Sequence, residues 1–374
     1  MPHEISRGLF KSCFRLAKRV RKRLFLSKRN FASSSYLDGG YERPKRIHPL
    51  DRLGEYWLFS RLGWIGPIFR GAEAVNHRGG SGAHHVVYAR ALLLKPYPEL
   101  DAIRIARWSR FGDSVVQLRN AIYIAESYHI PFIQYPESHP FFNYGRIGTI
   151  SFVAHPECSS APVLEGLFYN PHAFRLPKLK ANSARVSRDY LRPLLKSGLR
   201  TPDPRVRKDD LVLHFRAGDV FTESPNPHYG QPPLSYYLSA VERERPSRVW
   251  LVYEDRGNPC ISAAELALER LGIEVVSQSS TLIDDLRVLM TARRLVGGRG
   301  SFVEAVANLS EHLERIYFFE AGKLNSIRAL GVQVLRASDA DGEFKTKLLS
   351  GNWMGSGDQH ALMLSYPSDK LSFE

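Results

Sequence analysis

LVLHFRAGDVFTE, residues 211–223, opens as an apolar run and closes in charge. Five apolar-leaning residues bounded by polar ones read as a strand buried on both faces, the kind that fills a parallel sheet. His214, Arg216, Asp219 and Glu223 gather where that strand gives out. Open parallel sheets bind ligands beyond the carboxyl ends of their strands. The fold and the site are therefore read from one short stretch.

The sequence on either side keeps the alternation going. After the strand at 211 come a helix over LSYYLSAVERER (234–245), a strand over RVWLVYED (248–255) and a helix over SAAELALERLG (262–272). IEVVSQ, LVGG and RIYFFE read as strands, and LIDDLRVLMTARR (282–294) and SFVEAVANLS (301–310) as helices. Upstream, the regular pattern starts near residue 100. DAIRIARW (101–108) reads as a strand, SRFGDS (109–114) as a turn, VVQLRNAIYIAESYHI (115–130) as a helix and PFIQYPE (131–137) as a strand: one βαβ unit. LKANSARVSRDYLRPLLKSG (179–198) reads as helical, and the Pro- and charge-rich TPDPRVRKDD (201–210) as a domain boundary. The expected class is α/β, with two Rossmann-like domains facing across a cleft and a basic N-terminal helical tail. The expected divisions are a tail over 1–45, a first domain over 46–200, a second over 201–335 and a C-terminal extension over 336–374.

Composition is that of a folded protein, with 43% apolar and 24% charged residues. The net charge of +14 is concentrated at one end: residues 1–37 hold ten Lys or Arg against the single acid Glu4, which leaves 14 − 9 = +5 for the rest. The body is too mildly basic to argue for a nucleic-acid partner, and none is expected. Leu9, Phe10, Cys13, Phe14, Ala17, Val20 and Leu24 recur at helical spacing opposite the basic residues of 7–29. A helix on an anionic membrane surface, a solvated tail and a targeting segment remain as readings of that pattern. No stretch has the length of a membrane span. Three scattered cysteines without CxxC give neither a disulfide framework nor a zinc site. His84-His85 reads as a polar turn, and the D-x-D of Asp339-Ala340-Asp341 as loop chemistry.

Three strand ends are expected on one edge of the second sheet. They carry His214, Arg216 and Asp219; Glu254 and Asp255; and Gly297-Gly298-Arg299-Gly300-Ser301, which opens a helix. A helix N-terminus and a planar guanidinium both suit phosphate. The plainer reading has Arg216 paired with Asp219 across a turn, with the glycines only easing chain reversal.

The run H-F-R-A-G-D resembles the H-x-R-x-G-D pattern of the metal-independent fucosyltransferase superfamily. DLRVLMTARRLVGGRGSF (285–302) resembles its last motif, and RFGDSVVQLRNAIYIA (110–125) its G-R-F-G-N-Q loop and helix. The resemblance spans about residues 100–320 and implies a GT-B-like enzyme using GDP-fucose or a close GDP-sugar, with no metal or other cofactor. The first domain would then be the acceptor side and the second the nucleotide-sugar side. It implies that Arg216 grips the β-phosphate, His214 lies along the nucleotide, Asp285 accepts from the guanine edge, and Gly298, Gly300, Ser301 and Phe302 hold phosphate. Asp219 matches the signature acid and would orient the loop on the nucleotide side, where Asp255 would also lie. Ala217 stands where some relatives carry a second Arg, and Asp113 where the family has Asn. Two carboxylates, Asp113 and Glu223, are candidates for the base that takes the acceptor proton. In the loop SPNPHYGQPPLSYY (224–237), His228, Tyr229 and Gln231 read as acceptor-side residues. The alternatives are a transferase for another nucleotide sugar and a non-catalytic glycan- or nucleotide-binding module. The expected place is the cytoplasm, peripheral on the inner membrane face.

Overall fold

The computed structural model describes residues 75–77, 84–88, 100–108, 110–137, 139–155, 163–169, 182–320 and 324–374. The basic tail and most of the approach to the first sheet lie outside these. The described residues belong to one compact unit, 69–374. No helix among them is long and apolar enough to cross a membrane.

Two seven-stranded sheets form the α/β frame expected from the sequence. In the first, strands β3 (Ala102–Ile105), β4 (Phe132–Tyr135), β6 (Ile150–Ala154) and β7 (Val163–Gly166) run parallel in the order β7-β3-β4-β6. Antiparallel strands finish both edges: β5 (Gly145–Ile147) beside β6, and β2 (His84–Tyr88) with β1 (Val75–His77) beyond β7. Regular structure therefore begins before residue 100. His84-His85 sits within β2, not in a turn, because it pairs with Asn76 and His77 of β1.

Helix α1 (Phe111–Tyr128) joins β3 to β4. It starts four residues earlier than its periodicity predicts. Phe111 is buried against Phe141 and Phe302, and this packing draws the supposed turn into the helix. The helical stretch after residue 180 is broken into short pieces between Ser183 and Arg200, interrupted by a wide turn at Ser187–Leu191 and by Pro193.

The second sheet has the order β10-β9-β8-β11-β12-β13-β14. Here β8 is Leu211–Phe215, β9 Arg248–Tyr253, β10 Glu274–Gln278, β11 Arg294–Val296, β12 Arg315–Phe319, β13 Gln333–Asp339 and β14 Leu371–Phe373. The first six are parallel. In chain order they run 3-2-1-4-5-6, the Rossmann arrangement, so the connections change direction between β8 and β11. Helices α2 (Leu234–Glu244), α3 (Cys260–Arg270), α4 (Leu282–Thr291) and α5 (Ser301–Leu309) cover its faces. The stretch after 335, read above as an extension, completes this sheet with β14 and buries Phe344 and Trp353 in its core.

Alternation along the strands decides which way the site faces. Leu211, Leu213 and Phe215 enter one core, while Val212 enters the other, which runs on through α5 and α1 into the first sheet. His214 shares the Val212 face and stacks on Phe302, with centroids 5.1 Å apart. One apolar core thus joins the two sheets at the place where β8 ends.

Candidate functional site

Two helices begin side by side. A Cβ on Gly112 would stand 2.7 Å from Phe302 N and from Ser301 Oγ, so only glycine allows α1 and α5 to start this close. Neither helix is capped by a side chain: Arg110 and Gly300 hold the cap positions without a cap bond. Their first-turn amides and partial positive charge therefore converge at the switch point of the second sheet.

Arg216 lies against this junction. A Cβ on Gly300 would be 2.3 Å from Arg216 Nη1, and Gly300 has φ +134, so the elbow accepts no other residue without strain. The backbone is braced from several sides. Gly298 N donates to the His214 carbonyl at 3.0 Å, Asn258 Nδ2 to the Arg216 carbonyl at 3.0 Å, and the hydroxyl of Tyr236 to the Gly297 carbonyl at 3.1 Å. The guanidinium lies 4.7 Å from the centre of the Tyr229 ring. Its Nη2 reaches Asp219 only at 3.3 and 3.5 Å. The turn pairing of the plainer reading is thus present but long.

Asp219 is also held from across the junction, by Arg110 Nη1 at 2.7 Å. Partial burial opposes the charge of Arg110, but Asp219, with Glu254 and Asp113, raises its pKa. One carboxylate is shared by two guanidinium groups, one from each side. Nearby acids roughly balance the cations, so any pull on an anion comes from aimed donors rather than from net charge. Arg110 escaped the sequence reading. Its only signal was its place beside the Phe-Gly that lets two helices meet.

The remaining residues divide into those that reach this junction and those that do not. Asp113 accepts from Ser301 Oγ at 3.1 Å, so it stands at the junction as the third residue of α1 and not as its cap. Glu223 is exposed on the loop after the turn Gly218–Val220. Asp255 is exposed and accepts from Gly257 N at 2.7 Å, a local turn bond. Glu254, not singled out for a role above, lies against the turn after β8 instead: a Cβ on Gly218 would be 2.3 Å from its carboxylate. Asp285 is buried, and burial raises its pKa. Its Oδ1 accepts from Gln278 Nε2 at 3.0 Å and Ser280 N at 3.3 Å, so only Oδ2 could meet a guanine edge.

Of the loop residues, Tyr229 is 37% exposed and backs Arg216. His228 is exposed, with its ring against Gly351. Gln231 is fully buried, which rules out the acceptor contact expected for it. Its amide donates to the Tyr229 carbonyl at 2.8 Å and accepts from Arg299 N at 3.0 Å, tying the loop to the elbow. Arg299 Nη1 donates to the Gly230 carbonyl at 2.9 Å. Asp339 and Asp341 of the D-x-D both accept from the Tyr366 hydroxyl, and Asp341 also pairs with Lys370 at 3.0 Å.

Two buried histidines make acid the chain's weak side. Burial, then the charge of Arg216, lowers the His214 pKa to about 3, and burial, then Lys196, does the same for His139. Both are neutral in the fold and must charge on unfolding below the ordinary histidine value. Their stabilisation is complete above about pH 6.5 and is lost as the pH falls toward 3. Urea midpoints should hold steady from pH 8 to 7 and drop below 6. His139→Asn, which keeps an acceptor for the amides of Phe141 and Phe142, should flatten that limb. An unchanged acid slope in that variant contradicts the assignment to His139.

No protein-family model matches the chain, and no curated protein matches it in sequence. Among solved structures it is similar to POFUT1 in complex with GDP-fucose, with 13% identity and a TM-score of 0.35 over 56% of this chain and 92% of that one. It is similar to a mutant of Arabidopsis thaliana FUT1 in complex with GDP, with 8% identity and a TM-score of 0.35 over 64% and 71%. It is also similar to E. coli heptosyltransferase II, with 11% identity and a TM-score of 0.30 over 63% and 90%. Scores of this size leave the chemistry to be judged from the chain's own strands and side chains.

Proposed function

We propose that the chain is a glycosyltransferase that moves a sugar from GDP to a glycan hydroxyl without a metal ion. Fucose is the first candidate sugar, from the resemblance of H-F-R-A-G-D. The observation that carries the reading is the meeting of two uncapped helix starts with Arg216 and Arg110 at the β8–β11 switch point.

Breaking the bond from sugar carbon to phosphate leaves a diphosphate whose negative charge grows as the bond lengthens. Donors fixed before the reaction stabilise that charge most, because they need not reorganise. Arg216 is fixed by Asn258, Tyr229 and the Gly300 elbow. As a diphosphate arrives, Arg216 and Arg110 can exchange their shared carboxylate for phosphate oxygens. Asp113, on the opposite helix and bonded only to a hydroxyl among the contacts above, is the better placed base. Glu223 lies on an exposed loop and has no such link to the junction. No cofactor beyond the donor is proposed. Contact of residues 7–29 with an anionic membrane rests on charge placement alone, and a cytoplasmic place for the enzyme on its few, scattered cysteines.

The test is a thermal-shift comparison in chelator. GDP should raise the melting temperature well above the shift given by UDP at equal concentration, since Asp285 Oδ2 can accept from the paired N–H groups of guanine. Equal shifts from both overturn the choice of guanine. No shift from either, with or without magnesium, overturns the nucleotide-sugar reading.

A further inference from the structure

Tyr144 is a large aromatic side chain held rigid yet left 40% exposed. One face stacks on Tyr135, with centroids 4.9 Å apart and planes 24° from parallel, so the exposed face is the other one. Its hydroxyl donates to the Pro136 carbonyl at 2.8 Å, which fixes the ring in place. The next residue, Glu137, is exposed, and its charge adds to burial in raising the Tyr144 pKa. An anchored ring with a carboxylate at its rim suits a pyranose, whose C–H face packs on the ring while its hydroxyls donate at the edge.

The position suits an acceptor as well. Tyr135 ends β4, and Trp108, 5.2 Å from Tyr135, follows the end of β3. Three residues later comes Phe111, which abuts Phe302 beside the diphosphate junction. Tyr144 therefore stands on the edge of the first sheet from which α1 sets out toward that junction. We propose that the outer face of Tyr144, with Glu137 at its rim, is a sugar-stacking subsite for one pyranose of the acceptor glycan. The proposal rests on the glycosyltransferase reading for the identity of its ligand as an acceptor.

Saturation-transfer NMR without nucleotide tests it, using methyl β-glucopyranoside, methyl β-galactopyranoside and methyl β-N-acetylglucosaminide as probes. At least one should show ring-proton saturation on the intact chain. Tyr144→Phe should keep most of the signal, Glu137→Gln should weaken it, and Tyr144→Ala should weaken binding about tenfold, the size of one lost stacking contact. GDP binding is measured on the same samples, and Tyr144→Ala should retain it, which also shows that the variant is folded. No saturation of any probe, or equal saturation by Tyr144→Ala, overturns the subsite and leaves the GDP reading standing. Saturation that depends on Tyr144 in a chain that does not bind GDP keeps the subsite and overturns the donor reading instead.

Discussion

Arg216→Ala should reduce sugar transfer, and hydrolysis of the donor in the absence of acceptor, by about 10² to 10³-fold, the usual cost of one preorganised donor to developing charge. The loss should fall mainly on kcat, because the interaction strengthens as the diphosphate leaves. Arg216→Lys should recover only part of it. An ammonium keeps the charge but loses the planar fork that lies over Tyr229 and against Gly300. The fold should survive in both variants, since Arg216 is partly exposed and its bonds to Asp219 are long. Matching kinetic constants for Arg216→Ala and the parent chain would remove Arg216 from the chemistry.

The second large effect concerns the base. Asp113→Asn should lower transfer by about 10² to 10⁴-fold, the range for one general acid–base group. The variant keeps the bond from Ser301, because an amide oxygen accepts as a carboxylate does, so packing between α1 and α5 stays intact. Donor hydrolysis should suffer less than transfer if water needs less help than a sugar hydroxyl. Glu223→Gln should leave the rate nearly unchanged, as fits an exposed loop acid. The reverse outcome, a large loss at Glu223 and none at Asp113, would move the base to the loop.

The parts of this site that were legible in the sequence depend on short-range pattern. The apolar run ending in His214 and Arg216, and the glycines before Ser301, announce strand ends whose place in a parallel sheet follows from the alternation around them. What escaped depends on contacts between distant segments. Arg110 pairs with Asp219 more than a hundred residues away, and nothing near Arg110 reports it. The early start of α1 comes from Phe111 meeting Phe302, so propensity placed a turn where packing made a helix. Gln231 read as a sugar contact because polar loop residues often are. It is a brace because the Gly-rich elbow left an Arg299 amide in need of an acceptor. Tyr144 could not be singled out without knowing that Tyr135 lies beneath it.

The most direct measurement is the position of a bound diphosphate, from a crystal of the intact chain soaked with GDP in chelator. The β-phosphate should lie within hydrogen-bond reach of the Arg216 guanidinium, beside the first-turn amides of α5, with Arg110 swung from Asp219 toward it. A β-phosphate held elsewhere, with Arg216 still resting on Asp219, would contradict the account.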